Sequence, residues 1–186
     1  VEAVQQRTGE VMTPQAWQAL CAWRDRTGVP LVLNENATAL YRNARRRFWW
    51  VDSVAGDADL VLWWGGGQIG HIFASDGAYV AKPLSFISTW DGDELSATRL
   101  LWQLFACGYA HTVDRAAQLD SALRAAGFAG ETVAGMGLYR VLGLGARRAA
   151  GIQGRLAERG IDVGRPAGDA LVIAPPSALA APWARR

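Results

Sequence analysis

The first half of the chain alternates short apolar runs with longer segments of helical period. Residues 1–5 (VEAVQ) make an apolar run of strand length. Thr13-Pro14 then offers a capping hydroxyl followed by proline at the first helical position, and Gly28 supplies a stop, so a helix is expected between them. Inside it Trp17, Leu20, Cys21 and Arg24 recur at helical spacing, giving an apolar face with a polar flank. Residues 29–33 (VPLVL) and 59–64 (DLVLWW) are the continuous apolar runs that buried parallel strands carry. The first ends in Asn34-Glu35-Asn36 and the second in Gly65-Gly66-Gly67. Residues 71–74 and 79–81 read as further short strands.

The second half has a different rhythm. Leu95, Leu101, Trp102 and Phe105 share one side of a helix expected over 94–106, and a second helix over 112–126 is stopped by Gly127. Residues 139–144 read as a strand, 146–159 as a helix with Gly160 after its end, and 161–163 and 170–174 as strands. Pro175-Pro176 ends the last of them. The pattern predicts an α/β fold, with a mainly parallel sheet and its helices over 1–108 and a small α+β domain over 109–186.

Composition narrows the function classes. With 51% apolar and 19% charged residues the chain is not disordered, and a formal charge of +2 makes no electrostatic claim on nucleic acid or an anionic membrane. No apolar run reaches the roughly 18 residues of a membrane span, and no basic-then-apolar leader opens the sequence. Cys21 and Cys107 lack CxxC spacing and His71 and His111 are isolated, so neither a disulfide framework nor a metal site is expected; a reduced, cytoplasmic setting fits. Nine tryptophans leave much apolar surface to bury. Of 19 basic residues only Lys82 is a lysine, so any lysine chemistry must use it or go without.

Gly65-Gly66-Gly67-Gln68-Ile69-Gly70 matches GxGxxG, with Asp91 further on. A dinucleotide site needs the last glycine to open a helix, but His71-Ile72-Phe73-Ala74 and Ser75-Asp76-Gly77 form a strand-and-turn pattern, so the glycines read as a flexible turn. Arg45-Arg46-Arg47-Phe48-Trp49-Trp50 mixes charge with aromatic rings; on a nearly neutral chain it reads as a solvated edge or partner contact rather than a single-strand nucleic-acid platform. No GxSxG occurs, which removes the serine-hydrolase elbow. Asn34-Glu35-Asn36 and residues 65–68 sit at the carboxyl ends of two strands, where open α/β sheets bind ligands. A site is placed there, with Glu35 as a possible general base beside Asn34, Gln5 and Gln68. The alternative is that the asparagines only terminate the strand.

Five segments in order carry a resemblance. Glu2-Ala3-Val4-Gln5 is similar to an E-P-x-Q strand, and Leu31-Val32-Leu33-Asn34-Glu35-Asn36-Ala37-Thr38 to an apolar strand ending in D-E-V-Q-T-G. Residues 59–74 are similar to a strand leading into a lysine and a Q-x-x-G turn, and Ser88-Thr89-Trp90-Asp91-Gly92-Asp93 to S-T-W-G-G-N. Residues 159–176 are similar to closing R-G-(apolar) and R-x-R-P-P segments. Together they resemble the C-terminal half of a class III, pyridoxal-phosphate-dependent aminotransferase of fold type I, closest to the lysine ε-aminotransferase branch. The resemblance implies that residues 1–108 are the C-terminal part of the large domain and 109–186 the small domain.

In that family a lysine forms a Schiff base with the cofactor and an aspartate keeps the pyridine nitrogen protonated so that the ring acts as an electron sink. A glutamine lies near the phenolic oxygen, a threonine reaches the phosphate across a dimer interface, and an arginine binds the substrate carboxylate. Carried over by position, the lysine falls on Gly65 or Gly66, the aspartate on Asn34 and the arginine on Ala174. Gln5, Glu35 and Thr89 remain, so Gln5, Asn34 and Thr89 are the expected cofactor-facing residues and no catalytic residue is expected beyond a repurposed Glu35. Nothing resembles the family's phosphate-binding turn or the aromatic that stacks on the cofactor. A half-sheet would expose apolar faces and open edges. The expectation is a degenerate subunit with no cofactor of its own, paired in a hetero-oligomer with an aminotransferase-like chain that holds pyridoxal phosphate. A repurposed enzyme using the old pocket, or a structural or regulatory module, are the alternatives.

Overall fold

The computed structural model describes residues 1–64, 70–82, 93–106, 109–128, 130–164 and 168–175. Helix α1 spans Pro14–Thr27, with the Thr13 side chain accepting from the Ala16 amide at 3.1 Å and Gly28 in the left-handed region at φ 68°. Both ends are thus where the sequence puts them, because a capping hydroxyl and an αL glycine are local chemistry. Trp17 and Cys21, one turn apart, pin the helix to a core that includes Ala3, Leu31, Leu33 and Trp50. The Trp17 indole donates to the Gly56 carbonyl at 3.1 Å and meets Trp50 edge-on at 5.8 Å.

Strands β1 (Val32–Asn34), β2 (Leu60–Trp64) and β3 (Gly70–Ala74) form the first sheet in that order. β1 and β2 are parallel, with Asn34 opposite Leu62; β2 and β3 are antiparallel, with Trp63 opposite His71. The expected parallel pairing holds on one side of β2 and fails on the other. Only residues 65–69 separate β2 from β3, too few for a crossover, so the chain returns as a hairpin. The expected strand over 1–5 is reduced to isolated bridges, Glu2 with Asn34 and Val4 with Val11, and residues 79–81 are not a strand.

Helices α2 (Glu94–Ala106) and α3 (Tyr109–Ala125) follow. The expected boundary at 108 falls between them, at residues outside those described. A second sheet runs β4 (Val133–Met136), β5 (Tyr139–Gly143) and β6 (Ala170–Ile173), antiparallel throughout, with α4 (Ala146–Ala157) between its last two strands. Leu142 and Leu171 on one face of this sheet pack with Leu123 of α3 and Ala149 of α4. Residues 161–163 are irregular and contribute only a bridge from Gly164 to Val172. Strand β4 has no clear signature in the sequence, since VAGM is short and half its residues are small or flexible. No helix among the described residues is long and apolar enough to cross a membrane.

Candidate functional site

Because β1 and β2 are parallel neighbours, their carboxyl ends lie side by side, as a strand-end site requires. Asn36 ties them together: its Oδ1 accepts from the Trp64 amide at 2.6 Å. Asn34 Oδ1 accepts from the Asn36 amide at 2.9 Å, an Asx turn that ends β1, while its Nδ2 donates to Glu2 at 3.4 Å. The amide of Asn34 is therefore engaged at both ends. Gly65, Gly66, Gln68 and Thr89 lie outside the described residues. Gly70 opens a strand, which removes the helix a dinucleotide fingerprint needs.

Glu35 points the other way. It is fully buried, and its carboxylate accepts from the Trp50 amide at 3.0 Å, the Val51 amide at 2.9 Å and the Thr38 hydroxyl. Burial pushes its carboxyl above the ordinary value of 4.5, against the opposing pull of those three donors. A general base must reach a substrate proton. This carboxylate instead organises the loop that follows β1.

That loop, residues 35–50, is the unusual part of the fold. Leu40, Tyr41, Ala44 and Arg46 all adopt left-handed backbone angles, φ between 57° and 61°. Each costs on the order of 1–2 kcal/mol for a side-chain-bearing residue, so the surroundings must impose them. Buried Asn43 does so from inside, donating to the carbonyls of Thr38 and Arg47, both at 3.0 Å. Arg42 does so from outside, reaching the Pro175 carbonyl at 2.9 Å and the Leu138 carbonyl at 3.2 Å. The Leu138 amide returns a bond to the Arg42 carbonyl at 2.8 Å. The loop is thereby clasped to the turn between β4 and β5, where Gly137 (φ 55°) leaves no room for a Cβ.

The Arg45–Trp50 stretch divides cleanly. Arg45, Arg46 and Arg47 are exposed, but Trp50 is fully buried and Phe48 and Trp49 pack with Trp63 at ring separations of 5.9 Å each. Those rings are core, not a stacking platform. His71 stacks on Trp63 at 4.9 Å, and burial pulls its imidazole below the ordinary value, so it is neutral near pH 7.

Gln5 lies elsewhere. Its Oε1 accepts from the Arg7 and Thr8 amides at 2.7 and 2.8 Å, and it makes no hydrogen bond to Asn34. It lines a cavity of about 440 Å³ over the second sheet, with Thr132, Val141 and Asp169. The structure thus joins Asn34 and Asn36 at one edge and turns the Glu35 carboxylate away from it, while Gln5 shares a second cavity with Glu2, the partner of Asn34. Arg42 and Asn43 organise this region without a motif to announce them. The one signal available for the loop is a long non-periodic stretch between two apolar strands.

Solved structures of similar fold cover nearly the whole chain. Lysine aminotransferase from M. tuberculosis matches at TM-score 0.76 and 21% identity, over 96% of this chain and 44% of its own. Ornithine aminotransferase from Plasmodium yoelii matches at TM-score 0.75 and 21% identity, over 97% of this chain and 52% of its own. Ornithine aminotransferase from Toxoplasma gondii, with pyridoxal phosphate partly occupying its active site, matches at TM-score 0.74 and 20% identity, over 97% and 46%. No protein-family model matches the sequence, and no curated protein matches it. The chain spans about half the length of these structures, and at such identities the likeness establishes the fold: that of the C-terminal half of the lysine and ornithine aminotransferases, class III pyridoxal-phosphate enzymes.

Proposed function

We propose that this chain is an aminotransferase-like subunit without transaminase chemistry of its own, which completes or supports a second, aminotransferase-like polypeptide carrying the cofactor lysine. One observation carries the reading. Lys82 is the only lysine, and it is an exposed residue beyond β3, whereas the resemblance puts the family's lysine between β2 and β3. Two further features support it. Bound pyridoxal phosphate draws electrons from an amino substrate, and a ring nitrogen kept protonated by a carboxylate is what makes it an electron sink. Here the strand end offers Asn34, a neutral amide already engaged by Glu2 and by its own turn. The nearest carboxylate along the chain, Glu35, is turned into the core. Neither Asn34 nor Glu35 offers the strand end the carboxylate that the ring nitrogen needs.

The partner would hold the cofactor and accept an amino group from an amino acid, the substrate class named for the solved neighbours. Thr89, through the resemblance, would serve the partner's phosphate site. The test is spectroscopic. Pyridoxal phosphate added to the purified chain is expected to give no aldimine absorbance above that of the free cofactor, and borohydride reduction of the mixture is expected to leave no stoichiometric adduct by mass. A stoichiometric adduct on Lys82 would overturn the reading.

A further inference from the structure

α2 turns large apolar side chains to solvent, alongside exposed Glu94, Thr98 and Arg99. Leu100 packs inward against the Trp63 cluster and Ser96 is buried, while Leu95, Leu101, Trp102 and Phe105 face outward. Leu95 is 83% exposed, Trp102 63% and Phe105 88%. Large apolar side chains clustered on the solvent side of a helix mark a contact surface. β3 has the same character. Among the described residues it is the last strand of its sheet, and Ile72 and Phe73, which point to opposite faces, are both exposed. Proteins do not leave a flat apolar edge open, because it templates pairing with another chain. Taking about 150–250 Å² for a large side chain, the outward residues of α2 expose roughly 550 Å². That is at the upper end of the largest apolar patch of a typical monomer, about 300–600 Å². Ile72 and Phe73 expose further apolar area on the two faces of β3.

We propose that a separate polypeptide carrying the other half of the aminotransferase fold docks on this surface, adding a strand beside β3, the outermost strand among the described residues, and packing against the outward face of α2. The inference rests on the partner reading above and supplies its docking site. The solved neighbours carry about as much chain again beyond the matched part, which is the source of strands that the fold itself provides. A second copy of this chain supplies none of that part.

The probe is the unmatched portion of M. tuberculosis lysine aminotransferase, co-expressed with this chain and followed by size-exclusion chromatography with light scattering. Alone, the chain is expected to self-associate heterogeneously and to bind a hydrophobic dye; with the probe it is expected to elute as a one-to-one complex. The triple variant Leu95→Glu, Trp102→Glu, Phe105→Glu, whose changes all face outward, is expected to keep its circular dichroism and to weaken the complex at least tenfold. A complex unchanged by the triple variant overturns this surface and leaves the partner reading standing. A chain that is a dye-silent monomer alone and with the probe overturns both. A stable dimer of the chain alone, cross-linked through Phe105→Cys, overturns the proposed occupant, as does heterogeneous association that the probe leaves unchanged.

Discussion

Replacing Glu35 with glutamine tests what the buried carboxylate does. Glutamine keeps the volume but turns one acceptor oxygen into a donor. Glu35 accepts from two backbone amides, Trp50 at 3.0 Å and Val51 at 2.9 Å, so one of them loses its acceptor and faces an NH2 group instead. A buried donor left unsatisfied costs about 1–3 kcal/mol. Part of that is offset, since the neutral amide escapes the burial penalty that holds the Glu35 carboxyl above 4.5. The expected net loss at pH 7 is about 1–2 kcal/mol, or roughly 2–8 °C in Tm for a chain of this size. Alanine removes every acceptor and is expected to cost about 3 kcal/mol or more. The pH dependence has a definite sign. A carboxyl raised on folding contributes stability that is fully present below the unfolded value, near 4.5, and lost as pH rises through the folded one. The glutamine variant lacks that slope, so its deficit widens towards acid. Urea unfolding followed by tryptophan fluorescence is the assay, with Trp50 beside the substituted residue. A variant within about 0.5 kcal/mol of the parent, with the same pH slope, would refute the structural role.

Gly137→Ala would place a Cβ 1.8 Å from the Arg42 carbonyl at φ 55°, so a loss of about 3 kcal/mol or outright insolubility is expected, and a parental melting curve would show that the loop is not clasped to the β4–β5 turn. Thr13→Ala removes the cap of α1 and is expected to cost about 1 kcal/mol, with Thr13→Ser recovering most of it; equal melting temperatures for all three would refute the cap. Burial pushes the Cys21 thiol up, against the pull of Arg24, so in a Cys107→Ser background it is expected to react slowly with a thiol reagent at pH 8 until denaturant is added, and immediate reaction would place it at the surface.

Elements whose signals are local were legible. α1 is bounded by a threonine hydroxyl and a left-handed glycine, and β2 and β6 are uninterrupted apolar runs. What failed depended on partners distant in sequence. Residues 1–5 look like a strand because they are apolar, yet Val4 meets Val11 in a single bridge and the chain turns back through Gly9, where a Cβ would sit 2.7 Å from Ala134. The pairing sense of β3 depended on connection length, not on its own residues. For the site, the parallel strand ends were legible, but the direction of each side chain was not. Three consecutive polar residues looked alike; alternation along the chain sends Asn34 and Asn36 to the edge and Glu35 into the core.

That alternation weighs against a catalyst rebuilt in the old pocket. Four left-handed residues in one loop cost several kcal/mol together, at about 1–2 kcal/mol each. The groups that hold them there are the polar residues a new active site would have had to use: Glu35 on the amides of Trp50 and Val51, Asn43 on two carbonyls, Arg42 on the second sheet. Each of those bonds is to backbone, and backbone bonds fix shape without recognising a ligand. A chain that commits its buried polar groups to the form of one loop, and exposes large apolar side chains on α2 and β3, suits the proposed supporting role better than a catalytic one. A supporting subunit needs that arrangement, whereas a general base at Glu35 would have to break it before the first proton moved.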